Sequence, residues 1–319
     1  IAYQQLQISK APVVLPETAA IGKGKVKVDD KSKVNTLLVT GNNATIAFDK
    51  STGWLSEYKV NGIDYLGEGG SLKPNFWRAV TDNDMGADMQ NLFAVWKNPK
   101  MVMKSLQASL EKIDGTKQVV IRAQYDMPEV KALLDMTYLV AADGKMTVTE
   151  KMTTDKNAKV SDFFRFGMVM DMPYLMDESE YYGRGPIENY VDRKDCMRMG
   201  IYQQTADEQF YPYMRPQETG TKSDIVWWKQ KDASGKGLVI SGANDMSALH
   251  YAISDLDEGT EKHQRHSYQV PKSKYTNVCI DEIQMGLGGT NSWGAWPLNK
   301  YRLHYGDRSF TFILAPIAR

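Results

Sequence analysis

The sequence predicts an all-β protein, a large antiparallel β-supersandwich, and three observations predict it. Apolar residues recur with period two over many short runs, turn dipeptides separate those runs, and helical periodicity is sparse. Alternation places one set of side chains on one face of a strand, which is how a half-buried sheet is assembled. Many such strands with few helices stack as layers of sheet.

Taken in order, Ile1 to Ile8 alternates like a strand, and Pro12, Pro16 and the small stretch Thr18-Ala19-Ala20 follow. A lone strand cannot hide its face. Residues 1–19 therefore read as the last strand of, or a linker from, a preceding domain, and residues 20–319 as the main domain, with Val26 to Val28 opening it. Ala44–Phe48 and Trp54–Val60 flank the turn Asp49-Lys50-Ser51-Thr52-Gly53. Asn61-Gly62 then leads into Ile63–Leu66, and Asn-Gly suits a type I′ turn because both positions take positive φ. Ala87 to Val95 offers about two helical turns. Asp114-Gly115 precedes a strand in which Val119, Ile121, Ala123 and Tyr125 share a face. Leu134, Met136, Tyr138 and Val140 repeat the pattern, and Asp143-Gly144 joins them to Met146–Val148 as another hairpin. Phe164, Phe166, Met168 and Met170 alternate again, as do Phe310, Phe312 and Leu314.

The 319 residues carry 39 basic and 39 acidic side chains, so no blanket positive field draws nucleic acid or an anionic membrane. Neither partner is expected. Cys196 and Cys279 fit no CxxC pattern; one disulfide between them stays open, while the run Val278-Cys279-Ile280 favours a buried small hydrophobe. The chain opens on Ile1, with no signal peptide and no apolar stretch near 18 residues, which suits a segment of a longer protein.

Four segments are dense in Gly, Pro, Trp and charge. They are Pro74-Asn75-Phe76-Trp77-Arg78-Ala79-Val80-Thr81-Asp82-Asn83-Asp84-Met85-Gly86; Tyr182-Gly183-Arg184-Gly185-Pro186-Ile187-Glu188-Asn189-Tyr190-Val191-Asp192-Arg193; Tyr213-Met214-Arg215-Pro216-Gln217-Glu218-Thr219-Gly220 with Asp224-Ile225-Val226-Trp227-Trp228; and Asp281-Glu282-Ile283-Gln284-Met285-Gly286-Leu287-Gly288-Gly289-Thr290-Asn291-Ser292-Trp293-Gly294. In this order they resemble the C-terminal small-chain domain of family 2 β-galactosidases, from about residue 20 to the end. The resemblance implies a galactose-mutarotase-like supersandwich. It also implies an upstream (β/α)₈ barrel that holds the catalytic glutamates, and a preceding immunoglobulin-like domain whose end Ala2-Tyr3-Gln4-Gln5 resembles.

Asp82, Asn83 and Asp84 read either as a cation or sugar-hydroxyl site or as an Asx-rich turn, and the turn is preferred. Glu188 and Asp192 could be imagined as a glycosidase acid and nucleophile. The preferred reading is an ion-pair network in which Arg184 and Arg193 grip those two carboxylates and pin the loop. Arg215 and Glu218 are expected to fix a loop against a neighbouring domain. Trp227 and Trp228 should point to opposite faces, one of them into the core. Gly286, Gly288 and Gly289 permit an irregular loop that presents Trp293. The resemblance gives Trp293 a sugar subsite at the active-site mouth; Trp296 is a second candidate and Asn291 a polar contact. Thr290-Asn291 stands where the best-known members carry two acidic residues. The His263-Gln264-Arg265-His266 spacing does not converge on a metal in a β background, so no metal ligand is assigned.

Three functions follow. The first is a non-catalytic C-terminal domain of a retaining β-galactosidase, inactive alone, with a β-galactoside and the upstream barrel and immunoglobulin-like domains as partners and a homo-oligomer admitted. No cofactor is expected in this chain, while the resemblance allows Mg²⁺ or other cations in the parent enzyme. The second is an aldose mutarotase or epimerase recruiting His250, His263 or His266 with Glu218 or Glu282 as acid and base. The third is a carbohydrate-binding or interface module only.

Overall fold

The alternating runs form strands, and paired antiparallel neighbours satisfy their backbone groups. The structure is a computed structural model, which describes residues 5–6, 14–18, 24–31, 34–291 and 294–318. The strands among them are β1 (Lys27–Asp29), β2 (Thr36–Thr40), β3 (Ala44–Asp49), β4 (Leu55–Val60), β5 (Ile63–Asp64), β6 (Leu72–Asn75), β7 (Val102–Ile113), β8 (Thr116–Met127) and β9 (Ala132–Val140). They continue as β10 (Met146–Thr154), β11 (Arg165–Pro173), β12 (Glu178–Gly185), β13 (Arg198–Thr205), β14 (Trp227–Lys231), β15 (Gly237–Ser241), β16 (Asp245–Leu249), β17 (Tyr275–Gln284) and β18 (Arg308–Pro316). They make two nine-stranded sheets. One runs β1-β2-β3-β4-β6-β11-β17-β16 with β5 paired to β4; the other runs β13-β12-β14-β15-β18-β10-β9-β8-β7. Every pairing is antiparallel.

The two sheets face each other across one apolar layer. Phe48 of β3 meets Tyr138 of β9 edge-on at 4.8 Å. Tyr58 of β4 donates its hydroxyl to the Gly144 carbonyl at 2.7 Å, and Tyr125 of β8 donates to the Thr52 carbonyl at 2.6 Å. Leu134, Met136, Tyr138 and Val140 are all buried, as their alternation predicts. Burying each side chain of this kind contributes about 1.5–3 kcal/mol. Asn61 and Gly62 take φ 52° and 77°, and Asp114 and Gly115 take 47° and 81°, so both dipeptides make the expected primed turns. At Asp143-Gly144 only the glycine has positive φ. The β9–β10 connection is a wider loop closed by Ala141 N–H on the Lys145 carbonyl at 2.9 Å.

Two expectations need correction. The helix expected over Ala87–Val95 is instead α1 (Asp82–Gly86), α2 (Met89–Leu92) and a 3₁₀ turn, Ala94–Trp96. Asp88, in the left-handed region at φ 60°, breaks it, and Thr81 starts it five residues early by capping. Trp227 and Trp228 do lie on opposite faces, yet both are buried. Trp228 stacks on Tyr181 in the core, and Trp227 packs near Tyr182 beneath the Lys229 ammonium. Cys279 is buried and Cys196 exposed, and neither is in a disulfide. Most of the strand expected over Ile1–Ile8 lies outside the described residues. The Gln5 amide pairs both ways with the Met199 backbone on β13, at 2.7 and 2.8 Å.

Candidate functional site

Topology brings the first and fourth motifs together. β6 and β17 both pair antiparallel to β11, so they run the same way, and the chain leaves both at one end of the sheet. The residues after β6 and those after β17 therefore meet. Arg78 is fully buried there. It grips Asp84 through Nε at 3.1 Å and Nη2 at 2.8 Å, and donates to the carbonyls of Met285 at 2.6 Å and Gly286 at 3.1 Å. Its guanidinium lies 4.6 Å from the Phe164 ring centre. A buried guanidinium is tolerable because every face of it is met by an acceptor or a π surface.

The acidic triplet divides its labour. Asp84 turns inward to Arg78 and completes the capping box with Thr81. Asp82 turns outward to Arg215 at 2.5 Å and Lys262 at 3.4 Å. Asn83 points at the glycine loop, and its single amide nitrogen donates to the carbonyls of Leu287 at 3.1 Å and Ala295 at 3.0 Å. Both ends of the loop are thus held by one side chain. Asp192 holds the same base by accepting from Gly288 N–H at 2.9 Å. Gly288 at φ 74° and Gly294 at φ 82° allow the path, and a Cβ on Gly294 would come within 2.1 Å of the Gly86 carbonyl carbon. Asn83, Arg78 and Asp192 together hold the base of the loop. Asn83 and Arg78 stand inside a motif the sequence exposes, but only the fold reveals their partners.

At the loop itself, Asn291 is exposed and its side-chain oxygen accepts from Ala295 N–H at 3.3 Å, an internal brace. Trp296 is half-buried, with Phe93 edge-on at 5.7 Å and the Arg302 guanidinium 4.4 Å from its ring centre. Those contacts pack it at the loop base. Trp293, the main candidate, lies outside the described residues.

The second and third motifs build the neighbouring ground. Glu188 is buried and accepts from Arg193 and the Tyr213 hydroxyl, from the Thr219 hydroxyl at 3.0 Å, and from Gly220 N–H at 2.7 Å. With its acceptor sites filled it braces the loop. Arg184 departs from expectation: it pairs with Asp224 at 2.5 Å rather than with Glu188 or Asp192, and Lys194 joins the same carboxylate at 2.6 Å. The reason is geometric, since Asp192 faces the glycine loop and Glu188 is already taken by Arg193. Lys222 is buried beside Glu188 with its ammonium on the Gly220 carbonyl at 2.8 Å, and burial lowers its pKa to about 8.

Glu218 meets Arg165 at 3.2 Å, and Arg165 also meets Asp281 at 3.1 Å and the Gln284 side-chain oxygen at 3.1 Å. All four are buried. Glu218 therefore fixes the core end of its loop to β11 and β17. Burial raises the Asp281 carboxyl well above its usual range and carries Asp245, which accepts from Gln284 N–H, to about 7. Glu150 is likewise pushed well up by burial, with Asp281 and Glu282 adding to it. His250 stacks on Tyr174 and lies 3.6 Å from Asp177; His266 faces the Met214 carbonyl; Glu282 faces Arg308. No hydrogen bond or ion pair among the described residues joins a histidine to Glu218 or Glu282, the pair an epimerase would require. Nor is any group of three His, Cys, Asp or Glu residues gathered to hold a metal ion among the described residues. Asp82 and Asp84 are engaged by arginines and do not fit a cation.

The model of the β-galactosidase small chain matches residues 40–314, which takes in all four motifs. The chain belongs to the β-galactosidase small-chain family. The small chain is 33% identical to a β-galactosidase of Priestia megaterium over 335 residues, covering 99% of this chain and 30% of that protein. It is 34% identical over 258 residues to a β-galactosidase of Lactobacillus delbrueckii subsp. bulgaricus, covering 80% of this chain and 24% of that one. The chain thus spans less than a third of the length of these relatives. A galactose 1-epimerase of Lactobacillus acidophilus NCFM is similar in structure at a TM-score of 0.44 and 7% identity, over 92% of this chain and 98% of its own.

Proposed function

We propose that this small chain is the C-terminal portion of a retaining β-galactosidase that hydrolyses terminal β-galactosides. In this reading an upstream (β/α)₈ barrel supplies the two catalytic glutamates, and residues 1–19 are the end of an intervening immunoglobulin-like domain. Retaining hydrolysis needs two carboxyl groups about 5 Å apart across the scissile bond, one as nucleophile and one as acid and then base. Glu188 and Asp192 are both committed to bracing, so neither is assigned that work. The small chain instead holds a loop at the sugar site. Trp293 on that loop offers a flat apolar ring to the C–H face of the sugar, and Asn291 supports it.

One observation carries this reading. Arg78, Asn83 and Asp192, from two separate motifs, all bond the backbone at the two ends of one glycine-rich loop. Bonds that fix both ends of a loop suit a segment that must present a side chain at a fixed place, because pre-orientation lowers the entropic cost of engaging a substrate. The test is turnover of an aryl β-galactoside by the purified 319-residue chain. A rate no greater than buffer is expected, and turnover that survives removal of host enzyme overturns the assignment of the glutamates to an upstream barrel.

A further inference from the structure

One core position breaks the pattern of its strand. Met146, Val148, Glu150 and Met152 of β10 alternate onto the same buried face, and Glu150 is as fully enclosed as its apolar neighbours. Its partners in register are Met136 on β9 and Phe310 on β18, both buried. Neither carboxyl oxygen has a hydrogen-bond partner, and no Lys, Arg or His forms an ion pair with it among the described residues. We propose that Glu150 is a proton-held latch between the two sheets: neutral, it lets β10 close against β17, and ionised at alkaline pH it drives them apart. The latch stands whether or not the sugar-site reading does.

The groups that face Glu150 from the opposite sheet are acidic. Asp281 and Glu282 of β17 act on it electrostatically, and Asp281 in turn feels Asp245 of β16 and Glu218. From its own sheet comes the Tyr138 hydroxyl of β9, also buried without a partner and itself influenced by Tyr125 of β8. The bases nearby are spent elsewhere. Arg165 of β11 meets Asp281 at 3.1 Å and Glu218 at 3.2 Å, and Arg308 of β18 lies 3.8 Å from Glu282. A carboxylate enclosed with no partner is so costly that it takes up a proton instead.

Burial comes first in raising the Glu150 carboxyl well above its ordinary 4.5, and Asp281 and Glu282 add to it. The unfolded chain releases this proton near 4.5, while the folded chain keeps it. The stabilising contribution is therefore whole below that value and falls as pH rises towards the folded one. Ionisation leaves a carboxylate in an apolar layer, opposite acidic side chains. Water that enters to solvate it has to part the sheets. β17 ends at Gln284, beside Met285 and Gly286, whose carbonyls Arg78 holds, so the latch closes at the root of the glycine loop.

Urea unfolding of the 319-residue chain and of Glu150→Gln, which keeps the shape and loses the proton, tests the latch. Asp245 titrates in both proteins and cancels from their ratio. The unfolding constant of the unsubstituted chain, divided by that of the variant, should rise about a hundredfold between pH 6 and pH 8. A ratio that does not vary with pH overturns the proposal. At alkaline pH the amides of β10 and β17 should exchange faster in the unsubstituted chain than in the variant at the same pH; equal exchange overturns the parting of the sheets. A further measurement does not need Glu150→Gln to fold. With every glutamate carbon-13 labelled at its side-chain carboxyl, NMR at neutral pH should show one such group still protonated, and Glu282→Gln should leave that signal in place. Glutamates that are all ionised at neutral pH, or loss of the signal in Glu282→Gln, overturn the proposal.

Discussion

Asn83 holds the two ends of the glycine loop with one amide, so its removal should be felt locally. In Asn83→Ala the carbonyls of Leu287 and Ala295 lose their donor, and hydrogen exchange over residues 287–295 should quicken. Global stability should change by only about 1 kcal/mol, the usual net worth of such bonds. Exchange mass spectrometry with a urea titration checks both. Asp245 carries a pH signature. Burial outweighs the Gln284 N–H bond and the attraction of Lys194 and Arg165, while Asp224 adds repulsion, and the folded carboxyl titrates near 7 against 3.8 ordinarily. Between those values the folded protein keeps a proton that the unfolded chain has released, so this group's contribution falls as pH rises from about 4 to about 7 and is level above. Asp245→Asn keeps the acceptor and loses the titration. Its stability relative to the unsubstituted chain should therefore climb by roughly 4 kcal/mol between pH 4 and pH 8, read by urea unfolding at each pH; a difference that does not vary with pH contradicts it. At this scale the Glu188 brace was legible, because Arg193 stands five positions away, whereas the partner of Glu218 was not, since it is Arg165 on β11 and not the neighbouring Arg215. The Asn83 contacts were not, since their partners lie more than 200 positions away.

Arg165 on β11 is the pin between β17 and the loop that carries Glu218. Arg165→Met would leave Glu218 and Asp281 buried without their guanidinium. Breaking a buried pair from one side costs about 3–5 kcal/mol, and the denaturation midpoint should fall accordingly with the slope unchanged. The hairpins were legible as elements because Asn61-Gly62 and Asp114-Gly115 are backbone statements made by two adjacent residues. The broken helix was not legible, because the interruption depends on Asp88 adopting positive φ, which the local composition does not announce. The edge strand β7 also escaped the reading, since none of its residues is buried and its alternation is weak.

For the molecule as a whole, the two-sheet antiparallel architecture follows from many short amphipathic strands, but the order of the strands does not. The placement of β6 and β17 on either side of β11 joins the first and fourth motifs at one end of one sheet, and that order is set by long-range pairing. Four motifs scattered over 220 residues of sequence thereby become one surface around a braced loop. In the function proposed, the loop, through Trp293, supplies a sugar contact to a β-galactosidase whose catalytic groups lie elsewhere. The most direct test is the steady-state kinetics of the complete protein on an aryl β-galactoside, with and without Trp293→Ala. Loss of a stacked aromatic should lower kcat/KM by roughly tenfold or more, on the order of 1–2 kcal/mol of lost binding, with the fold unchanged by circular dichroism. Unaltered kcat and KM in the Trp293→Ala protein would contradict the account.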